Sequence, residues 1–135
     1  MSAAKEVRTD RHYTKDHEWA KSVDGEILVG ISAFAVDQLG DITLVDLAVK
    51  PGDVVAAHQA FGTIESVKTL SDLFCPVAGR ITRINEALSS NPEWVNEDCW
   101  EKSWMIAIEP VDPIDRADGL LDPNAYASHL EASEH

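Results

Sequence analysis

Basic residues are scarce in this chain. Eleven Lys and Arg stand against twenty-four Asp and Glu, a formal net charge of −13. A surface of that sign is repelled by a phosphate backbone, so nucleic acid is disfavoured as a partner. Cysteine is scarcer still: Cys75 and Cys99 are the only two, and they form no CxxC. They read as two free thiols of a cytosolic protein, with a disulfide left open because spacing does not show whether the side chains meet. No apolar run approaches the roughly eighteen residues that a membrane span needs, so no membrane association is expected. The opening Met1-Ser2-Ala3-Ala4-Lys5-Glu6-Val7-Arg8 lacks the apolar core of a signal peptide and is short and acidic for a transit peptide. A cytoplasmic location is the resulting expectation. HExxH, a Cys/His cluster with zinc spacing, a Gly-rich phosphate loop and a nucleophile elbow are all missing, so the chain offers no catalytic or metal-binding motif. His12, His58, His129 and His135 are scattered, and His17 reads as a packing or hydrogen-bonding residue.

What is present suits one folded domain. The chain has 135 residues and 44% hydrophobic content, enough for a real core. The stretch 1–11 is polar and reads as a flexible N-terminus, 12–131 as the domain, and 132–135 as a tail. Residues 91–135 carry eleven acids against Lys102 and Arg116. Such a surface favours solubility and can steer basic protein partners.

Short strand-like runs recur at roughly ten-residue intervals between turn residues, the pattern of a sandwich or barrel. Glu18–Ser22 and Glu26–Ile31 flank Asp24-Gly25, a hairpin turn signal. Ser32 is placed to cap a short helix over Ala33–Leu39 that Gly40 ends. Asp41–Val49 is β-rich, Pro51-Gly52-Asp53 turns, and Val54-Val55 opens a short strand. Arg80–Asn85 follows a turn at Ala78-Gly79, and Ile81 and Ile84 break strict alternation, which predicts a bulge or a strand end. Short helical turns fit Glu86–Leu88 and Pro92–Val95. Trp104–Glu109 reads as a last strand, ended by Pro110 and Pro113. Leu120–Leu130 reads as a closing helix with Asp122 at its N-cap, Pro123 at its first position, and Leu121, Tyr126 and Leu130 as its packing face. Trp19, Trp94, Trp100 and Trp104 read as packing residues.

One lysine stands out. Lys68 lies between the runs Phe61–Ser66 and Leu70–Cys75, at the tip of a predicted hairpin. Val67 and Thr69 beside it are β-branched and stiff. A hairpin tip presents an amine clear of the body, and strand pairing below fixes its direction. A solvated turn lysine would look the same from these two strands alone.

The wider pattern separates the readings. Glu65-Ser66-Val67-Lys68, then Ser71-Asp72-Leu73 and Pro76-Val77-Ala78-Gly79, resemble the lipoyl-attachment hairpin of the glycine cleavage system H protein family. His17-Glu18-Trp19, Val29-Gly30-Ile31-Ser32, Leu39-Gly40-Asp41-Ile42, Asn91-Pro92-Glu93-Trp94-Val95-Asn96, Trp104-Met105-Ile106 and Leu120-Leu121-Asp122 follow in the family's order and spacing. The resemblance covers about residues 12–130. It implies a mainly β fold, a barrel-sandwich hybrid lipoyl domain with short peripheral helices and a C-terminal helix. It implies lipoic acid joined to Lys68 by an amide, Glu65 as a recognition residue for the lipoylating enzyme, and Glu18 and Asp72 as docking residues for the loaded arm. Glu65 as a plain solvent-facing residue, and Glu18 and Asp72 as structural ones, stay open. Biotin domains resemble this fold but usually flank their lysine with methionines, unlike Val67 and Thr69.

The function so implied is that of a carrier, not an enzyme. The arm would take an aminomethyl group from a pyridoxal-phosphate glycine decarboxylase, pass it to a folate-dependent aminomethyltransferase, and be reoxidised by dihydrolipoyl dehydrogenase. The sequence also departs from the family. Ala57-His58-Gln59 replaces a turn that usually holds glycine, Asp98–Trp104 replaces a Pro- and Gly-containing loop, Cys75 stands where Ser or Ala is usual, and Asp16 stands where some members have Ser. These departures leave room for an alternative: an H-like lipoate-binding protein that carries a sulfur intermediate for a heterodisulfide-reductase-like complex, with Cys75 and Cys99 involved.

Overall fold

A computed structural model describes residues 7–111 and 120–133 of the chain. Local sequence sets the first hairpin. β2 (Glu18–Val23) and β3 (Glu26–Ile31) pair antiparallel from Glu18↔Ile31 to Val23↔Glu26. The two-residue turn between them has φ 51° at Asp24 and 87° at Gly25. A tight turn matched to strand twist needs positive φ at both central positions, which Asp-Gly tolerates. β1 (His12–Tyr13) adds to β2 through Tyr13↔Trp19 and bridges Leu121 on its other side. It was not anticipated, since two residues carry no period.

Ser32 caps α1 (Ala33–Leu39) by accepting the Ala35 N–H, and Gly40 ends it with φ 80° and its N–H on the Val36 carbonyl. The chain continues through β4 (Ile42–Leu47), β5 (Val54–Val55), β6 (Ala60–Ser66), β7 (Leu70–Phe74) and β8 (Gly79–Ile84), then α2 (Ala87–Ser90), α3 (Trp94–Glu97), β9 (Ile106–Pro110) and α4 (Pro123–Ser133). Two sheets result, one ordered β1-β2-β3-β9-β8-β5 and one ordered β4-β6-β7. This is the expected mainly β architecture with short helices and a C-terminal helix.

The core lies between the sheets. Ile27, Val29, Ile81, Ile106 and Ile108 from the larger sheet join Val45, Phe61, Ile64 and Leu73 from the smaller in one buried cluster. A second cluster holds α4 against the outside of the larger sheet through Tyr13, Trp19, Trp100, Tyr126 and Leu130. The rings of Tyr13 and Tyr126 stack at 4.2 Å. The indole of Trp19 lies where a side chain at Gly30, its cross-strand partner, would be, so only glycine admits it. Trp19 also donates to the Cys99 carbonyl at 2.9 Å, tying in the unusual 98–104 loop. Asp98 accepts backbone N–H groups of Trp100, Glu101 and Lys102 in that loop, doing with a side chain what turn residues do elsewhere.

Several details differ from expectation. The last strand starts at Ile106, because Trp104 turns aside to pack under the Arg83 guanidinium, 5.1 Å from its ring. α4 runs past Leu130 to Ser133, with Asp122 accepting the Ala125 N–H at 2.7 Å as its cap. The predicted irregularity in β8 falls between Ile81 and Arg83. Arg11, at the near end of the stretch expected to be loose, is buried between the Trp19 and Trp100 rings. The expectations for residues 1–6, Pro113 and 134–135 lie outside the described residues. Among the described residues no helix is long and apolar enough to cross a membrane, and no His/Cys/Asp/Glu group is arranged to hold a metal ion.

Candidate functional site

Lys68 stands where the sequence places it, exposed at the tip of the β6–β7 hairpin. The last pair, Glu65↔Leu70, leaves Ser66–Thr69 as the turn, closed by Ser66 N–H to the Thr69 carbonyl at 2.8 Å. The Ser66 hydroxyl accepts the N–H groups of Lys68 (3.1 Å) and Thr69 (3.2 Å). A serine here satisfies two turn donors at once, which fixes the backbone beneath a mobile side chain.

A second contact aims the tip. The Val67 N–H donates to the Asp41 carbonyl at 3.0 Å, joining the turn to the segment after α1. Asn96 of α3 clamps that segment from outside: its Oδ1 accepts the Ile42 N–H and its Nδ2 donates to the Gly40 carbonyl, both at 2.9 Å. The lysine stem lies beside Gly40. A Cβ there would meet Lys68 Cε at 3.4 Å and Cδ at 3.6 Å. Those are ordinary packing distances, so what Gly40 supplies is its positive φ. Sequence reasoning gave no role to Ser66 or Asn96, although both lie within motifs it picked out.

A cleft of about 250 Å³ opens beside the hairpin. Ile64, Ser71, Asp72 and Leu73 form one wall, Phe34, Ala35, Gln38 and Leu39 of α1 another, and Asp16, His17 and Glu18 its end. Lys68 is not in this lining. Its stem lies against Gly40, the residue next to Leu39. A long substituent on the amine thus has an apolar-walled groove within reach, ended by carboxylates. The residues fit a lipoyl arm in that sense: apolar walls for a hydrocarbon chain, acids for a polar or cationic end.

Glu18 is the unusual carboxylate. It is only 2% exposed, yet it belongs to the lining. A tight loop aims it inward. Thr14 N–H donates to the Glu18 carbonyl at 2.9 Å, His17 takes φ 72°, and the Thr14 hydroxyl donates to Glu18 Oε1 at 2.6 Å. The Phe74 N–H reaches Oε2 at 3.4 Å. Burial raises the Glu18 carboxyl to about 7, opposed by the Thr14 hydrogen bond and reinforced by the Asp16 charge. It therefore titrates near neutrality, and a cation entering the cleft would favour its ionised form. His17 is held by the Tyr126 hydroxyl at its Nδ1 (2.8 Å), which the Ser32 hydroxyl also contacts (2.6 Å), and burial lowers its pKa. That matches the packing role expected for it.

The structure thus brings Glu18 and Asp72 to one cleft and separates Glu65 from it. Glu65 projects from the outer face of the β4-β6-β7 sheet, opposite the core-facing Ile64. Cys75 is wholly buried, its thiol pushed up to about 12 by burial and by the Glu18 charge. Cys75 and Cys99 are both buried, and neither is in a disulfide. The substituted turn at Ala57-His58-Gln59 puts His58 at φ 70°, a conformation that favours glycine.

Comparison with known proteins agrees with this geometry. A family profile described as "Glycine cleavage H-protein" matches residues 11–133. A glycine cleavage system H protein of Anaeromyxobacter sp. (strain K) is 44% identical over 129 residues, covering 96% of this chain and 99% of that protein. The one from Oceanobacillus iheyensis is 48% identical over 122 residues, covering 90% and 95%. The crystal structure of a glycine cleavage system H protein from Mycobacterium marinum superposes with a TM-score of 0.84 at 34% identity, covering 93% of this chain and 99% of that one. A full-length match in sequence and in fold leaves one conclusion: the chain belongs to the glycine cleavage H-protein family.

Proposed function

We propose that this protein is a lipoyl carrier of the glycine cleavage system, with lipoic acid attached to Lys68 as an amide. The observation that supports it most is the placement of Lys68. An exposed amine tops a hairpin whose turn and anchoring loop are fixed by hydrogen bonds, next to a groove of suitable character. When bound, the group supplies a redox-active dithiolane able to take up an aminomethyl unit. The chain itself does the holding and steering. Ser66 and Asp41 set the direction of the turn that carries Lys68, and the cleft would shelter the far end of the arm from water. Glu18 would pair with a cationic amine there, and Asp72 at the rim would assist, since a charge-assisted bond in a site shielded from water is a strong one. Glu65 would serve recognition by the lipoylating enzyme.

In this reading the chain is not an enzyme. Its partners are the lipoylating enzyme, glycine decarboxylase, the aminomethyltransferase and dihydrolipoyl dehydrogenase, and it works in the cytoplasm. The relatives reported above all carry the glycine cleavage description, which favours this reading over a sulfur-carrying one. The depth of Cys75 and its raised thiol pKa point the same way, because an inert buried thiol offers little to sulfur chemistry.

Intact mass after incubation with lipoate, ATP and a lipoate–protein ligase tests the attachment. The native chain should gain one lipoyl group and the Lys68→Ala chain none. An unchanged native mass sinks the reading. Glycine–CO2 exchange with glycine decarboxylase then tests the pathway: exchange by the lipoylated chain is expected, and its absence would count against glycine cleavage.

A further inference from the structure

Five large hydrophobic side chains are exposed among the described residues: Leu44, Val54, Val67, Leu70 and Val111. Two of them, Leu44 and Leu70, flank one carboxylate, and Val67 lies at the turn beyond. The strand register sets Leu44 of β4 directly opposite Glu65 of β6, and Leu70 of β7 directly opposite Glu65 on its other side. Val45, Ile64 and Ser71 form the next row and face inward, so Leu44, Glu65 and Leu70 share the outer face. Leu44 is 43% exposed, Leu70 61%, and Val67 at the turn 67%. The row beyond, Asp46–Thr63–Asp72, adds Asp46 to the same face, with Asp72 on the edge strand where it borders the cleft. No basic side chain among the described residues pairs with Glu65, Asp46 or Asp72.

Exposed leucines on a three-stranded sheet raise the risk of self-association unless something covers them. Apolar side chains flanking an unpaired carboxylate form the pattern of an interface: a desolvating rim around one charge that selects its partner. We propose that Leu44, Glu65 and Leu70, with Val67, are the docking surface for the enzyme that acylates Lys68, and that this enzyme presents an Arg or Lys between apolar side chains. The proposal rests on the reading of Lys68 as an acylation site and adds which face its modifying enzyme grips.

Reach argues for the acylating enzyme over later partners. Acylation forms the amide C–N bond between Lys68 Nζ and an acyl adenylate, breaks the acyl–phosphate C–O bond to release AMP, and loses a proton from the amine to solvent. The enzyme must therefore bring its active site to the bare amine. The Leu44–Glu65–Leu70 row sits directly behind the turn that carries it, about one strand step of 3.3 Å below Ser66. Once the arm is attached, its length relieves later partners of that closeness. The charge fits as well, since a −13 chain with Glu65 and Asp46 unpaired on this face draws a basic surface and repels an acidic one.

The test is the rate of Lys68 acylation by a purified lipoate–protein ligase with lipoate and ATP, read by intact mass. Leu44→Ser with Leu70→Ser should cut kcat/KM by about tenfold, the loss falling in KM. Val54→Ser with Val111→Ser, which removes the two exposed apolar residues at the other sheet, should acylate at the native rate. Both positions in the first pair are exposed, and thermal unfolding should confirm an intact fold. A native rate for the leucine variant overturns the docking claim and leaves the carrier reading standing. So does an equal loss in both pairs, or a loss confined to kcat. If the leucine variant acylates normally but, once lipoylated, fails with glycine decarboxylase, the face belongs to another partner and the claim is wrong. A native chain that is never acylated overturns both.

Discussion

The hairpin tip and the cleft beside it are built in opposite ways. The tip is local: Ser66, Val67, Lys68 and Thr69 satisfy one another, and one distant carbonyl, of Asp41, sets the direction. The cleft is assembled from segments far apart in sequence, with Glu18 packed against the backbone of Phe74 and bordered by α1. The tip leaves its charge in water at little cost. The cleft buries a carboxyl and pays in a raised pKa. The contrast fits a division of labour between presenting a group and holding what it carries.

The largest expected effect breaks the tip. Lys68→Ala should abolish lipoyl attachment entirely while the unfolding free energy stays within about 0.5 kcal/mol of native, because the side chain is exposed. Mass spectrometry and denaturant titration check the two halves. The next tests the cleft. Glu18 binds its proton more tightly when folded (about 7) than at its ordinary value of 4.5, so stability falls as pH rises through that window. Glu18→Gln removes the titration. It should stabilise the chain by roughly 3 kcal/mol at pH 8 and by almost nothing at pH 4.5. Urea unfolding at the two pH values would show it, and an equal effect at both would mean that Glu18 does not titrate as its burial implies.

Asn96→Ala probes the link between the two regions. It removes both hydrogen bonds that clamp the Gly40–Ile42 segment and should cost about 2 kcal/mol. It should also slow lipoylation if the clamp aims Lys68, so a variant that is less stable yet lipoylated at the native rate would separate folding from aiming. Ser66→Ala is the mildest. Losing the acceptor for two turn N–H groups that water can still reach should cost about 1 kcal/mol, with faster amide exchange at Lys68 and Thr69 as the readout.

Much of the architecture was legible because it rests on short-range signals. Asp24-Gly25, Ser32 with Gly40, and Asp122 with Pro123 each name a turn or cap through the dihedral or hydrogen bond that only such residues supply cheaply. β1 and the end of α4 were not legible. A two-residue strand has no period, and α4 is held by Tyr126 and Leu130 packing on distant aromatics. The start of the last strand shifted for a related reason: Trp104 finds its partner in Arg83, on another strand.

The candidate site divides along the same line. Sequence alone determined the hairpin, the lysine at its tip and the residue types around it, since strand register and turn chemistry are local properties. Tertiary structure decided which carboxylates meet. It buried Glu18 beneath the cleft, set Asp72 at its rim, and put Glu65 on the far face between Leu44 and Leu70. Two strand residues a step apart point to opposite sides of a sheet, and a residue fifty positions away can lie against either. Only the packed sheets settle which groups share a dielectric and which share the solvent.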